Sequence, residues 1–338
     1  MNSGKKIAIV GVGISGLSAA REFVNRGYEV TVFEKSQGLG GRASTRRLPW
    51  AYVDVGVQYF TASDPVFKRE VARWLKRRQV AKWQFTPAVY ADGAFKLSPD
   101  NQERWVGTSA MRVLSHDIAS NVDIILQQRI KHLEPCPRGW RLVSENGPFE
   151  YFDWVVSSLP LEQALPLISN HSAMLNNISP PHRSVWALAL ATKGLVPPFI
   201  QGVFSHDTVR WLSRASLKPG FKRIDQGDVD FDDVWVMHFQ ESWSELKGRA
   251  LPHAELQAVA SRWFNKMLAS AGVCPVSVLA SHGHFWKYAQ MNAPIAEKPQ
   301  PFVDGTRRIA AIGAWCGSGR YEDGFLSGLS VVSAIDGA

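Results

Sequence analysis

Cysteine is scarce in this chain of 338 residues, and the three present, Cys136, Cys274 and Cys316, lie far apart. An odd, scattered set supports neither a disulfide framework nor a zinc site. No apolar run is long enough to cross a bilayer. The chain enters its first apolar segment at Ile7, which leaves no room for a signal peptide, and a reducing cytoplasm is the expected location. No period of roughly 20–50 residues recurs, which argues against a solenoid. Acidic residues are the minority, 30 against 38 basic, for a net charge of +8. Such an excess suits nucleic acid, a membrane surface or an anionic substrate. With no zinc finger and no RNA-binding aromatic signature beside it, neither nucleic acid nor membrane is an expected partner. Part of the excess is local: Lys68, Arg69, Arg73, Lys76, Arg77, Arg78 and Lys82 share a helical stretch with Val66, Phe67, Val71, Trp74 and Leu75. The plain reading is a solvated helix face, and the sharper one a field that draws in a phosphate-bearing substrate.

What the chain does have is glycine in a telling order. The apolar run Ile7-Ala8-Ile9-Val10 leads into Gly11-Val12-Gly13-Ile14-Ser15-Gly16 and then Leu17-Ser18-Ala19-Ala20. A second run, Val30-Thr31-Val32-Phe33, ends in Glu34, and Gly38-Leu39-Gly40-Gly41-Arg42 follows. A buried strand that feeds a helix aims the helix's free N–H groups at one point, where a diphosphate is favoured. Gly11 permits the tight turn, Gly13 the approach of the phosphates, and Gly16 close packing of helix on strand. Glu34 is placed to accept from a ribose hydroxyl, and its charge would repel a 2′-phosphate. The second glycine segment ends in a cation able to meet a diphosphate bidentately. Simple NAD dehydrogenases do not need it, so the pattern reads as a grip for FAD.

Residues 5 to 45 therefore form a strand–helix–strand unit. Helices are expected over 65 to 78, 108 to 119 and 253 to 271, with strands at Val122 to Leu126, Asp153 to Pro160, Ser184 to Ala191 and Val234 to Phe239. Gly139 to Ser144 and Phe149 to Phe152 suggest a small hairpin layer. The chain returns to the first unit with the strand Arg308 to Gly313 and an apolar helix over 323 to 336. Between them, 165 to 300 is rich in tryptophan: Trp186, Trp211, Trp235, Trp243, Trp263 and Trp286. Most of these are expected in a core.

With these pieces in place, the chain resembles the renalase-like branch of the FAD-dependent amine oxidase superfamily, the bacterial renalases above all. The resemblance runs nearly the whole length. It rests on Gly11 to Ala20, Gly40 to Ser44, Asp54-Val55-Gly56-Val57-Gln58-Tyr59-Phe60-Thr61, Arg104 to Gly107, Trp211 to Arg214 with Lys218-Pro219-Gly220, Trp235 to His238, His284 to Ala289, Trp315-Cys316, Ser318 to Arg320 and Leu326 to Gly328. It implies an α/β protein with an α+β substrate domain: a Rossmann-like FAD-binding domain interleaved with a mixed-sheet substrate domain, as in p-hydroxybenzoate hydroxylase. The FAD-binding part would take residues 1–75, 105–160 and 303–338, and the substrate domain 76–104 and 161–302. The FAD is expected to be non-covalent, Cys316 included, because that cysteine sits in the block of the untethered branch. The cofactor set carried over is Gly11, Gly13, Ile14, Ser15, Gly16, Glu34, Lys35, Gly41, Arg42, Gln58, Tyr59, Ile130, Ala314, Phe325 and Leu326. One position departs from the pattern: relatives carry Gly-Asp-Trp where this chain has Gly313-Ala314-Trp315, so an acceptor expected near the flavin's ribityl or phosphate region is missing.

The resemblance implies oxidation of the 2- and 6-dihydro isomers of NAD(P)H, with NAD(P)⁺ as product and O₂ reoxidising the flavin to give hydrogen peroxide. The expected partners are thus a small dinucleotide substrate and O₂. Hydride transfer needs little acid–base chemistry, so no proton-transfer residue is nominated. The N-terminus of the last helix, near Phe325 to Gly328, is expected to support negative charge on the flavin. Gln58 and Tyr59 are expected to border the isoalloxazine, with His238, Trp286 and Tyr288 on the substrate face. His238, His282 and His284 lack an acid or cysteine to complete a metal site, so no metal is expected. Two other readings stay open: an oxidase of small amines, and a flavin-binding homologue without turnover.

Overall fold

The computed structural model describes residues 4–179, 181–224 and 229–337. Lys6–Val10 forms the centre of a six-stranded sheet, and its apolar residues from Ile7 on are all buried. The chain turns at Gly11 (φ +109°), climbs helix Ile14–Asn25, turns again at Gly27 (φ +84°) and returns as Glu29–Phe33. The two strands pair in parallel, Ile7 against Val30 and Val10 against Phe33. Asp123–Ile125 extends the sheet beyond Glu29–Phe33. On the other side lie Trp154–Ser157, Ile309–Ala311 and the antiparallel edge Phe302–Asp304. Strands with apolar centres such as these suit a parallel sheet covered on both faces.

The last helix, Tyr321–Asp336, lies tightly along the first. Gly324 and Gly328 make this possible. A Cβ on Gly324 would stand 2.6 Å from Ile14 Cγ2, and one on Gly328 would overlap Ser18 Oγ and lie 2.9 Å from Ala19 N. The Ser18 hydroxyl donates to Phe325 O at 3.1 Å across the contact. The N-terminal turns of two helices thereby meet at the carboxyl ends of the parallel strands. The second of them is anchored by its own acids: the buried Glu322 accepts from Ser63 N (2.8 Å), Ser63 Oγ (2.7 Å) and Asp64 N (2.6 Å), and Asp323 accepts from Ser318 N (2.9 Å).

A second sheet has seven strands in the order Ser277–Met291, His182–Lys193, Asp233–Phe239, Val209–Arg214, Gly202–Ser205, Ala88–Ala91 and Ala94–Leu97. It is antiparallel throughout, except that Gly202–Ser205 pairs in parallel with Ala88–Ala91. One face packs on helix His253–Ser270 through Leu188, Leu190, Trp235, Met237 and Phe264. The other carries the small residues Ala187, Ala189 and Ala191 and meets Trp50, Ala51, Val53 and Val55. Small side chains on that face let the Trp50–Gln58 segment approach the sheet closely. Four of the six tryptophans of this region, Trp186, Trp211, Trp235 and Trp263, are buried.

The expected hairpin layer has a third strand, Ile130–Cys136, ahead of Gly139–Ser144 and Gly147–Phe152. The helix expected over 108 to 119 begins only at Arg112. Ser109 takes a left-handed conformation (φ +74°), which breaks the helical run before it. The last helix starts at Tyr321 rather than 323 because its terminal turn is capped from Asp323, whose carboxylate accepts from Arg320 N at 3.1 Å. The basic stretch around helix Pro65–Lys76 is only partly neutralised: Arg73 pairs with Glu70 and Asp117, and Arg77 with Asp117, while Arg21 of the first helix also meets Glu70. Among the described residues no helix is long and apolar enough to cross a membrane.

Candidate functional site: a double-glycine cradle and the sheet that faces it

The two glycine loops fold against each other. Gly11 N donates to Phe33 O at 2.8 Å and Gly40 N to Val12 O at 3.0 Å. A Cβ on Gly16 would overlap Gly11 O and stand 2.6 Å from Ser158 Oγ, so this position admits no side chain. Gly13 differs: a Cβ there would meet nothing within 4 Å. It caps the first helix, and the space before it is open on the side where the helix N–H groups emerge. Gly41 (φ +53°) closes that space from across, its Cβ position 3.5 Å from Gly13 Cα. Ile14 and Ser15, both buried, form the first turn.

Arg42 follows Gly41 in the second loop. Its Nη1 donates to Ala289 O at 3.0 Å, and burial lowers its basicity while the Glu162 carboxylate partly restores it. No carboxylate lies in salt-bridge contact with it among the described residues, which leaves a desolvated guanidinium with unused donors. Glu34 accepts from Val12 N (3.2 Å), Ser36 N (2.9 Å) and Ser36 Oγ (2.7 Å). A carboxylate has about four acceptor sites, so one remains for a hydroxyl. Partial desolvation and the charge of Arg129 lower the neighbouring Lys35 ammonium. Ile130 opens the hairpin layer, two residues after Gln128, whose N–H bonds Glu34 O at 2.8 Å. Ala314 is buried 3.7 Å from the Cβ position of Gly324, which itself stands against Ile14 and Ser15. Its methyl therefore lies by the N-terminal turn of the last helix. Phe325 points into the core against Phe67 and Trp74, while Leu326 is half-buried. Cys316 is buried, and burial pushes its thiol up, out of the range where it would ionise.

The seven-stranded sheet grips the segment Asp54–Gln58 with side chains. His238 Nε2 lies 3.0 Å and Trp286 Nε1 3.1 Å from the same carbonyl, Val55 O. A carbonyl only accepts, so His238 bears its proton on Nε2. Desolvation, helped by Lys218 and Arg210, pushes its pKa down to about 4, and the ring is neutral. Gln58 Nε2 donates to Asp54 O and, at 3.1 Å, to Gly56 O. Arg42 O accepts from Val57 N at 2.9 Å, tying the segment to the second glycine loop. Gly56 has no room for a side chain between Arg42 O and Trp286 Cζ2. His238, Trp286, Gln58 and Arg42 are thus brought together. The Tyr288 ring is edge-on to His182 at 6.4 Å, and Tyr59 stands edge-on to Trp211 at 5.6 Å. His284 packs on Trp286 with ring centres 4.2 Å apart and meets Arg46 through Nδ1 at 3.3 Å. Among the described residues no group of three or more His, Cys, Asp or Glu is placed to hold a metal ion.

Sequence reasoning missed the polar set behind this segment. Lys218, 8% exposed, donates to Gln58 Oε1 at 3.1 Å and lies 3.7 Å from Asp54 Oδ2. Desolvation lowers its basicity and Asp54 raises it. Ser213 Oγ donates to the same Gln58 oxygen at 2.8 Å. Arg104, buried between the Tyr59 and Phe85 rings at 5.2 Å from each, pairs with Asp100. Lys218 and Arg104 both fall in the blocks that carry the resemblance, and the Lys-Pro-Gly triplet was the one available signal for the former.

Comparison with known proteins agrees with this geometry at the amino-terminal end. Residues 9–77 match the model of the NAD(P)-binding Rossmann-like domain. The zeta-carotene-forming phytoene desaturase of Myxococcus xanthus is 42% identical over 53 residues, 16% of this chain and 10% of the desaturase. The chain thus spans about a tenth of the length of the curated relatives it matches. Whole-chain likeness is structural. Cyclohexylamine oxidase from Brevibacterium oxydans superimposes with a TM-score of 0.74 over 98% of each chain at 12% identity. Reduced UDP-galactopyranose mutase gives 0.73 over 98% of this chain and 96% of its own, at 11% identity. The fold is that of a Rossmann-like FAD-binding domain joined to a mixed sheet. At such identities the likeness speaks for architecture, and one architecture hosts many chemistries.

Proposed function

We propose that this chain is an FAD-dependent oxidase that takes a hydride from a dihydronicotinamide dinucleotide of the 2- or 6-dihydro type. The observation that carries the reading is the gap at Gly13. A helix N-terminus and a second glycine loop flank a position where a side chain would meet no atom, and the second loop continues into a desolvated arginine without a carboxylate contact. Those groups fit a diphosphate, which helix N–H donors and a guanidinium bind by charge-assisted hydrogen bonds. Glu34 suits the adenosine ribose. The Asp54–Gln58 segment and the N-terminus of helix Tyr321–Asp336 suit the flavin end.

When bound, FAD supplies the hydride acceptor. The chain's part is to position and to shield. His238 and Trp286 fix Val55, and Gln58 fixes Asp54 and Gly56, so this wall is rigid before ligand arrives. His238 is neutral and its Nε2 proton is committed to Val55, so that nitrogen is no base. An oxidation that needs no protein base, such as hydride loss from a dihydronicotinamide, suits these groups. The partially neutralised but net basic surface suits an anionic substrate. Products would be NAD(P)⁺ and, with O₂ as acceptor, hydrogen peroxide. The test is anaerobic mixing of the purified yellow protein with each dihydronicotinamide isomer and with small amines. Bleaching by the 2- or 6-dihydro isomers alone supports the reading, whereas bleaching by amines alone makes the chain an amine oxidase. A protein that bleaches with neither and still binds FAD is a homologue without this turnover.

A further inference from the structure

We propose that Arg46, His284, His282 and Arg249 form a subsite for a phosphate group of the substrate, at the outer edge of the seven-stranded sheet. This rests on the dinucleotide reading above and gives the substrate's own charge a place apart from the two glycine loops. Ser277–Met291 is the edge strand of that sheet. Alternate residues of a strand share a face, so His282, His284 and Trp286 stand in a row. Trp286 closes the row against the Asp54–Gln58 wall: its Nε1 donates to Val55 O at 3.1 Å, and its Cζ2 lies 3.0 Å from the Cβ position of Gly56. His284 packs on it with ring centres 4.2 Å apart. All three residues are half-buried, so none is closed off from solvent.

The strand Thr45–Arg47 brings in Arg46, which is exposed. Its Nη2 lies 3.3 Å from His284 Nδ1. A guanidinium only donates, so Nδ1 accepts, and the neutral ring carries its proton on Nε2. That N–H has no hydrogen-bond partner among the described residues. Arg249, also exposed, acts electrostatically on His284, and Arg46 and His253 act on His282. Desolvation first, and then these cations, lowers the basicity of both rings. Among the described residues no carboxylate acts on either ring, and none lies in salt-bridge contact with Arg46 or Arg249. The nearby acids are engaged: Asp54 accepts from Thr45 Oγ1 at 2.6 Å and Met111 N at 3.1 Å, and Glu255 pairs with Lys247 at 2.8 Å. Other arginines of the chain do meet acids, as Arg73, Arg183 and Arg214 show. Like charges gathered without a counter-ion repel one another, and an arriving anion removes that cost. Guanidinium and imidazole N–H donors side by side suit phosphate oxygens. A ligand with its nicotinamide at the Asp54–Gln58 wall would carry its phosphates past Trp286 to this cluster. Two sources share that chemistry: the bridging diphosphate of the dinucleotide and a 2′-phosphate on its adenosine.

The test uses the purified full-length protein loaded with FAD, titrated with nicotinamide riboside, NAD⁺ and NADP⁺ and read by perturbation of the flavin spectrum. Arg46→Gln weakens the phosphate-bearing ligands by about tenfold and leaves the riboside unchanged. Arg46→Lys, which keeps the charge, recovers most of the loss. Arg249→Gln, on a different element, has an effect of about threefold in the same direction. A loss shared by NAD⁺ and NADP⁺ assigns the diphosphate, and a loss confined to NADP⁺ assigns the 2′-phosphate. An equal loss for the riboside means that Arg46 only props His284 and Trp286, and overturns the subsite. So does a fall in FAD affinity, which gives Arg46 to the cofactor. Wild-type protein that binds the dinucleotides, beside variants that bind them as tightly, overturns the subsite alone. Wild-type protein that holds FAD and binds none of the three ligands overturns the dinucleotide reading and the subsite with it.

Discussion

The two halves of the site are built from different materials. The parallel sheet offers backbone: glycines, helix N-termini and a carboxylate already held by main-chain N–H groups. The seven-stranded sheet offers side chains: His238 and Trp286 on one carbonyl, and Lys218 and Ser213 on one amide oxygen. Backbone donors cannot be exchanged by mutation, so on the proposed reading the first half would bind what dinucleotides share. Side chains are exchangeable, so the second half would be where substrate choice is set. The first should then fail by steric insult and the second by loss of polar partners.

The largest effect is expected at Gly16. Gly16→Val drives a branched side chain into Gly11 O and Ser158, and overpacking of this kind costs at least about 3 kcal/mol. Urea unfolding will show it, together with loss of flavin. Gly13→Ala separates binding from folding: its methyl meets no protein atom, so stability changes by less than about 0.5 kcal/mol. Its FAD affinity falls about 100-fold or more, because the methyl occupies the phosphate position. A Gly13→Ala protein that binds FAD normally would place the diphosphate elsewhere.

The second half is probed by pH. His238 has a folded pKa of about 4 against the ordinary 6.5, so the unfolded chain takes up its proton first as pH falls. Stability from this ring is complete above about pH 6.5 and declines towards pH 4, by up to about 3 kcal/mol. His284, also pushed down to about 4 by desolvation and Arg46, adds to the same decline. His238→Gln should flatten the curve, and an unchanged slope between pH 6.5 and 4 contradicts the assignment. Next comes Lys218→Met, which removes a buried ammonium and leaves Asp54 and Gln58 short of one donor. The expected loss is about 1–3 kcal/mol of stability, with FAD affinity changed less than substrate affinity. The smallest effect belongs to Ala314→Asp. A carboxylate by the N-terminal turn of the last helix should tighten FAD by about threefold to tenfold. Weaker binding would show that the cradle has no room for it.

The first half was legible because its contacts are local. The turn at Gly11, the helix after it, Glu34 and Arg42 fall within 32 residues, and each glycine has a steric reason that spacing alone suggests. The second sheet was legible only as strands and tryptophans. Lys218 meets a residue 160 positions away, so no periodicity reveals that neighbourhood. Tyr288 was expected on the substrate face with His238 and Trp286, and its ring stands edge-on to His182. Gln58 was expected to border the flavin, and its polar atoms are all engaged in bracing the segment that carries it.

The central claim is that the two glycine loops and Arg42 hold a diphosphate. Equilibrium titration of flavin-stripped protein with FAD and with FMN, which lacks the diphosphate bridge, tests it most directly. FAD should bind at least about 100-fold more tightly than FMN. Equal affinity for the two would contradict the account.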